Sequence, residues 1–405
     1  MSEWTLTEQV LLGVLAAMWL YQLYFYLRYI LAAVRRTKPR AESQEPRTES
    51  PKPGVSVIVC AKNEEVNLQD YLQALLTQDY PTFEVIVVND ASVDNTRLLL
   101  EYWEKRYSNL KYTFVPEGAR VQSTKKLAIT LGAKAAQYDY LLLTDADCRP
   151  ESNRWISEMM AGFAGQEPLA KSQEPKAIVL GFGAYFAKPT LLNRLIQYDT
   201  LFNGLQYLGM AAAGRPYMGV GRNLAYRKEL FFAHGGFYGL MDNKAGDDDL
   251  FVNREATATN TAVVCTRDSL TWSVPKASLT DWLRQKRRHL GVAPKYKLAT
   301  KIRLAVEPVT RGLLYASLIA LIVLACRQVT GSGEWPELIA LLPAIIAIGA
   351  MLLRWIGQSV LLNIPAQRWG TTKTVLLIPL WETVLPMITL LTMIAEPFRP
   401  KPKRW

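Results

Sequence analysis

The chain has 405 residues, half of them hydrophobic, with a formal charge of +11 and only two histidines. That length allows one large or two small domains. Nine Lys/Arg and a single acid, Asp281, fall between Lys276 and Arg303; beside apolar runs, such a patch favours anionic headgroups or polyphosphate over nucleic acid. Cys60, Cys148, Cys265 and Cys326 are scattered without a C-x-x-C pair, which excludes a cysteine zinc site and a disulfide framework.

Residues 9–34 form an apolar run broken by Gln22, tyrosines and Arg28, and further runs cover about 309–326, 338–356 and 374–395. Each approaches the ~20 residues that cross a bilayer. The first lacks a basic n-region and a small-residue cleavage site, so it is expected to be a span and not a cleaved signal. "RRTKPR" at 35–40 follows it, and the positive-inside rule then puts residue 35 onward in the cytoplasm.

The expected layout is a transmembrane helix over 1–34, a basic linker over 35–54, and a cytoplasmic domain over 55–275. A basic amphipathic interfacial segment over 276–306 and membrane helices over 307–405 complete it. The fourth run carries Pro379, Glu382 and Pro386, and a full crossing would put "FRPKPKRW" outside. Crossing, re-entrant and interfacial placements of that run all stay open.

Between the spans, strands alternate with helices. "VSVIVCA" (55–61), "FEVIVVN" (83–89), "LKYTFV" (110–115) and "YLLLTD" (140–145) are strands, with helices at 64–77, 94–106 and about 124–137. Continuous apolar strands separated by helices indicate a mostly parallel sheet covered on both faces, an α/β fold. Downstream, a helix at 151–163, a strand at 177–183 and a helix at about 189–209 are expected. "GRNLAYR" (221–227) leads from a strand to a short helix, and a strand follows at 261–265. In 278–292, Leu279, Trp282, Leu283 and Leu290 fall near one face, which suits a helix in the membrane interface.

Ligands of open parallel sheets bind outside the carboxyl ends of strands. Asp90, Asp145 and "AKNEE" (61–65) all lie at such ends. Asp90 is placed to accept from a base N–H, favouring uracil, or else caps a turn. Asp145 and Asp147 of "DAD" follow a buried strand, where two carboxylates suit Mg2+ or Mn2+ shared with a diphosphate. Lys125 and Lys126 open a helix, a place that supports phosphate, or else are solvated surface lysines. "GDDDLF" sets Asp247, Asp248 and Asp249 side by side; crowded carboxylates raise one another's pKa, which suits a general base, although acids also enrich helix N-termini. In "QKRRH" (285–289), Arg288 matches phosphate oxygens, or belongs to an ordinary juxtamembrane patch.

As an ordered set, "VSVIVCAKNEE", "VVNDASVDNT", "STKKLAITLGAKAA", "TDADC", "GRNLAYRKELFFAHGGF", "GDDDLF" and "QKRRH" resemble membrane-bound family 2 glycosyltransferases. These are inverting enzymes of the GT-A type, which include cellulose, hyaluronan and chitin synthases and ceramide glucosyltransferase. The resemblance covers about 55–300. It implies a GT-A-like sheet and a nucleotide-sugar donor, with Ala61, Glu64 and Asp90 at the nucleoside and Lys125 nearby. It further implies Asp145 at the nucleotide and Asp147 on the metal.

The family's Glu-Asp base motif falls on "GDDDL", making the base Asp247 or Asp248. Its Q-x-x-R-W motif falls on Gln285, Arg288 and His289, where the tryptophan of processive synthases is missing. That departure leans the reading toward short transfer onto a lipid or glycan acceptor at the plasma or inner membrane. A processive polysaccharide synthase, with export or synthase partner subunits, and a catalytically silent nucleotide-sugar-binding subunit are the rival readings.

Overall fold

The computed structural model describes residues 4–38, 52–116, 118–119, 121, 123–164, 175–243, 245–331, 338–374 and 377–395. Most of the expected linker and all of "FRPKPKRW" lie outside the described residues. The chain divides into two compact units: Met1–Leu31 with Leu298–Ile364 and Thr374–Trp405, and Ala32–Lys297 with Pro365–Lys373.

The first element is α1 (Leu6–Phe25), which runs through a π-helical turn (Tyr26–Ile30) into α2 (Leu31–Arg36). Thr5 and Glu8 close its N-terminus as a reciprocal capping box.

The second unit opens with β1 (Val55–Ala61), α3 (Glu65–Leu76), β2 (Phe83–Asn89), α4 (Thr96–Glu104), β3 (Leu110–Phe114), α5 (Thr124–Ala135) and β4 (Tyr140–Asp145). It continues through β5 (Cys148–Pro150), α6 (Trp155–Met160), β6 (Ile178–Leu180), β7 (Gly183–Tyr185), α7 (Leu191–Ala212), β8 (Leu224–Arg227) and α8 (Lys228–Ala233). It closes with α9 (Asp249–Glu255), β9 (Thr261–Val263), β10 (Thr271–Ser273) and α10 (Leu279–Leu290).

The main sheet has the order β3-β2-β1-β4-β8-β6-β9. The first four strands are mutually parallel, β8 is antiparallel to β4 and β6, and β9 is parallel to β6. Ala61 pairs with Asn89 and Cys60 with Asp145, so the carboxyl ends of β1, β2 and β4 finish at one edge.

Alternation along β1 explains the two covered faces. Val55, Val57, Val59 and Ala61 share a core with Leu68, Leu72 and Leu75 of α3, Leu100 of α4 and Trp155 of α6. Ile58 faces the other way, onto α5, where a Cβ added at Gly132 would lie 2.7 Å from Ile58 Cγ2 and 3.1 Å from Val88 Cγ2. Gly132→Val therefore overpacks the sheet and is expected to cost about 3 kcal/mol, the upper end for such changes. Thermal unfolding of the detergent-solubilised protein checks this, and an unchanged midpoint would mean that α5 moves aside freely.

A small second sheet, in the order β5-β10-β7, flanks the end of β4. The strand expected at 177–183 is split into β6 and β7 at Gly181, where a Cβ would lie 2.5 Å from the Asn223 side chain. The helix expected at 151–163 is regular only over Trp155–Met160. In α10, Trp282 is buried, while Gln285 donates to Tyr185 Oη at 2.9 Å and Lys286 pairs with Asp199 of α7 at 2.9 Å. Part of the amphipathic helix thus packs on the unit's own surface, and Leu279 is exposed.

Pro365–Lys373 also belongs to this unit. Trp369 is fully buried, stacks on Phe182 with ring centroids 4.2 Å apart, and donates its indole N–H to Cys265 O at 2.7 Å.

The other unit holds α11 (Leu298–Gly331), most of α12 (Leu338–Trp369) and α13 (Ile378–Ala395). Among the described residues, three helices are long and apolar enough to cross a membrane: Leu6–Arg36, Leu298–Thr330 and Leu338–Trp369; α13 carries a shorter apolar stretch, Ile378–Thr392. Among these apolar surfaces lies a buried polar network. Arg354 bonds both oxygens of Glu382 and donates to Gln22 Oε1 at 2.8 Å. Gln358 donates to Glu382 Oε1 at 2.8 Å and to Tyr26 Oη at 2.6 Å, and Tyr315 Oη donates to Glu382 at 3.1 Å. Glu382, in the run whose placement the sequence left open, is thereby tied to the other helices of its unit.

Candidate active site

The loops after β1 and β2 build the first wall of the site. The Ala61 carbonyl accepts the Asp90 N–H at 2.7 Å. Asn63 (φ 56°) and Ala91 (φ 49°) are both left-handed, a conformation that asparagine tolerates and alanine adopts at a cost of roughly 1–2 kcal/mol. Asn63 holds the pair together: its N–H donates to Ser92 Oγ at 2.9 Å, and its Oδ1 accepts the Val93 N–H at 2.8 Å. Asp90 is buried and accepts from Thr124 Oγ1 at 2.5 Å, with Lys62 Nζ 3.5 Å away. Glu64 stands at the N-cap position of α3, and its carboxyl pKa is raised by burial, with the charges of Asp147 and Asp145 adding to the shift.

The first turn of α5 forms the centre. Ser123 caps the helix, accepting from the Lys126 N–H at 3.4 Å. Lys125 Nζ contacts Asp145 Oδ1 at 2.8 Å and Asp247 Oδ2 at 3.3 Å, bridging the end of β4 to the start of α9. Burial pulls the Asp145 carboxyl upward, but Lys125, Arg222 and Arg288 overcome it and hold the carboxyl below its usual range.

Asp147 accepts from Ser273 Oγ of β10 at 2.9 Å, and ligand atoms of Asp145, Asp147 and Cys148 lie within 4.8 Å of one another. Burial keeps the Cys148 thiol strongly protonated, so the two carboxylates are the hard oxygen donors of that group. They fit Mg2+ or Mn2+ completed by diphosphate oxygens.

The three carboxylates of 247–249 have different settings. Asp248 accepts the Gly221 N–H at 2.7 Å and the Asp249 N–H at 2.8 Å, capping α9. Burial first, and the neighbouring Asp247 charge second, raise its pKa. Asp249 is raised further by burial and by both neighbours, opposed by a hydrogen bond with Tyr296. Asp247 alone of the three touches the lysine that also holds Asp145.

Gln285 and Arg288 stand on α10. Gln285 reaches Tyr185, whose ring lies under the Arg222 guanidinium at 4.3 Å. Arg288 is exposed, and its charge acts on Asp145. Lys125, Asp145 and Asp247 are thus in direct contact, Glu64 and Arg288 reach Asp145 through their charges, and Asp90 joins through Thr124. Gln285 touches none of these carboxylates.

Arg222 escaped the sequence reading, and Lys126 takes a role other than the phosphate support expected of it. Arg222 donates to Gly183 O at 3.0 Å and Ala184 O at 3.4 Å, and it supplies a fixed positive charge beside Asp145 and Asp147. Lys126 is fully buried and donates to Leu240 O at 2.9 Å, Asn243 O at 2.6 Å and Ala245 O at 2.8 Å. The only sequence signal for it was the doubled lysine.

Comparison with known proteins matches residues 56–231 to the family described as Glycosyl transferase family 2. The chain is 27% identical over 243 residues to the probable glycosyltransferase YdaM of Bacillus subtilis (strain 168), a match covering 58% of this chain and 54% of that protein. It is 34% identical over 94 residues to the poly-beta-1,6-N-acetyl-D-glucosamine synthase of Staphylococcus epidermidis, covering 23% of this chain and 22% of that one. The match therefore spans about half of the first relative and a smaller part of the second. Among solved structures, the mannosyltransferase PcManGT from Pyrobaculum calidifontis, in complex with GDP-Man and Mn2+, superposes with a TM-score of 0.52 at 21% identity. That superposition covers 89% of this chain and 98% of the other. The mixed sheet is GT-A-like, and residues 56–231 form a Glycosyl transferase family 2 domain.

Proposed function

We propose that the chain is a membrane-bound, inverting transferase that moves a sugar from a UDP-linked donor to a lipid-linked or glycan acceptor. The observation that carries this reading is the Lys125 bridge, which brings the strand-end carboxylate Asp145 and the acid-cluster carboxylate Asp247 to one ammonium.

In this reading the donor base lies along the loops after β1 and β2, with Asp90 accepting from its N–H and Ala61 and Glu64 flanking it. Asp147, with Asp145, would hold Mg2+ or Mn2+, which offsets the charge of the departing diphosphate when bound. Lys125 and Arg288 supply further positive charge there. The acceptor hydroxyl attacks the anomeric carbon from the side opposite the diphosphate. The C–O bond to the diphosphate breaks, and the hydroxyl proton passes to Asp247. Asp248, with both oxygens on backbone N–H groups, holds the helix start. The basic stretch of α10 and the apolar helices favour an acceptor met at the membrane surface, with the catalytic unit on the cytoplasmic side.

The similarity to a poly-beta-1,6-N-acetyl-D-glucosamine synthase favours a second reading, processive extension of a polysaccharide. His289 in place of the tryptophan favours short transfer, and product length from a single acceptor separates the two.

The metal assignment has its own test. UDP affinity, measured by calorimetry, is expected to tighten about tenfold or more on adding Mn2+, and Asp147→Asn is expected to abolish that gain. Equal UDP affinity with and without Mn2+ in the unsubstituted protein would remove the metal from the mechanism.

A further inference from the structure

We infer that Lys126 is a positioning residue: it holds the loop that delivers Asp247 to the reacting centre. The inference rests on the assignment of Asp247 as the base.

An ammonium is costly to bury unless its donors are satisfied. Lys126 is fully buried, and its three donors are spent on three carbonyls, those of Leu240, Asn243 and Ala245. All three acceptors come from one short stretch that ends two residues before Asp247. The stretch contains no helix or strand among its described residues, and left-handed glycines bracket it, Gly239 at φ 75° and Gly246 at φ 84°. A chain segment without ladder hydrogen bonds takes its shape from such side-chain ties. An apolar residue would fill the same space without fixing those carbonyls.

The neighbouring residues sharpen the point. Thr124 bonds Asp90, Lys125 bonds Asp145 and Asp247, and Lys126 bonds the loop before Asp247. One helical turn therefore sets the nucleoside-side carboxylate, the metal-side carboxylate and the base loop in a common frame. Misplacement of a reacting group by about 1 Å costs on the order of 100-fold in rate, so this tie matters for turnover more than for donor affinity.

The test uses the full-length, detergent-purified protein with Lys126→Met, Lys126→Arg and Asp247→Asn. Lys126→Met is expected to lower kcat about 100-fold while UDP Kd stays within about threefold of the unsubstituted value. Lys126→Arg, which keeps a cation but not its three-point geometry, is expected to lower kcat less. Unchanged kcat in both lysine variants, or kcat and UDP affinity falling together in folded protein, overturns the inference. If Lys126→Met does not fold, Lys126→Arg decides: a reduced kcat with UDP affinity kept supports the inference, and a full kcat overturns it. Asp247→Asn separates the two claims. If it is inactive while the lysine variants turn over normally, the positioning role fails and the base stands. If it keeps full kcat, the base assignment itself fails.

Discussion

Asp247→Asn is expected to lower kcat about 1,000-fold, within the range for losing a general base, while leaving UDP binding close to normal. Asp248→Asn is expected to do something different. Both Asp248 oxygens accept backbone N–H groups at the start of α9, from Gly221 and Asp249. Asparagine keeps one acceptor oxygen as a cap but sets its NH2 against the other backbone N–H, so the substitution is expected to cost about 1–3 kcal/mol in stability and to keep most of the activity. Asp247 makes no comparable cap; its contact is with Lys125, which also holds Asp145. Parallel measurement of kcat and thermal midpoint in the two variants checks the asymmetry. If Asp248→Asn loses activity and Asp247→Asn does not, the roles are exchanged.

Arg354→Leu is expected to destabilise the helical unit by about 3–5 kcal/mol, as removal of one member of a buried ion pair does. The substitution leaves Glu382 among Gln358, Tyr315 and Trp355, with only the Arg311 guanidinium, 4.0 Å from Oε1, in place of the close Arg354 pair. The double variant Arg354→Leu with Glu382→Leu is expected to recover most of that loss, because replacing both partners by apolar groups is often near neutral. Unfolding midpoints in one detergent give the comparison. A single variant as stable as the unsubstituted protein would show that the pair contributes little to holding α12 and α13 together.

Much of the frame was legible in the sequence because buried parallel strands are written as continuous apolar runs. β1, β2 and β4 stand where "VSVIVCA", "FEVIVVN" and "YLLLTD" put them, and register alone then brings Ala61, Asp90 and Asp145 to one edge. The second sheet was not legible, since β5, β7 and β10 have three residues each, too few for an alternating pattern to register. Contacts far apart in sequence were hidden as well. Nothing local announces that Trp369 stacks on Phe182 or that Lys126 reaches Leu240, Asn243 and Ala245. The choice between Asp247 and Asp248 could not come from composition, because two adjacent aspartates differ only in the partners the fold brings to them, backbone N–H groups for Asp248 and the Lys125 ammonium for Asp247. Crowding was expected to raise a carboxyl pKa within the cluster, and burial first, with neighbouring charge second, raises Asp248 and Asp249.

The most direct test follows labelled sugar from a panel of UDP-sugars into lipid-extractable or polymeric product, using detergent-purified protein, Mn2+ or Mg2+, and membrane lipid extract. The expected result is product formation matched by UDP release, dependent on the divalent cation and lost in Asp247→Asn. UDP binding without consumption of any donor under these conditions would contradict the proposed transfer.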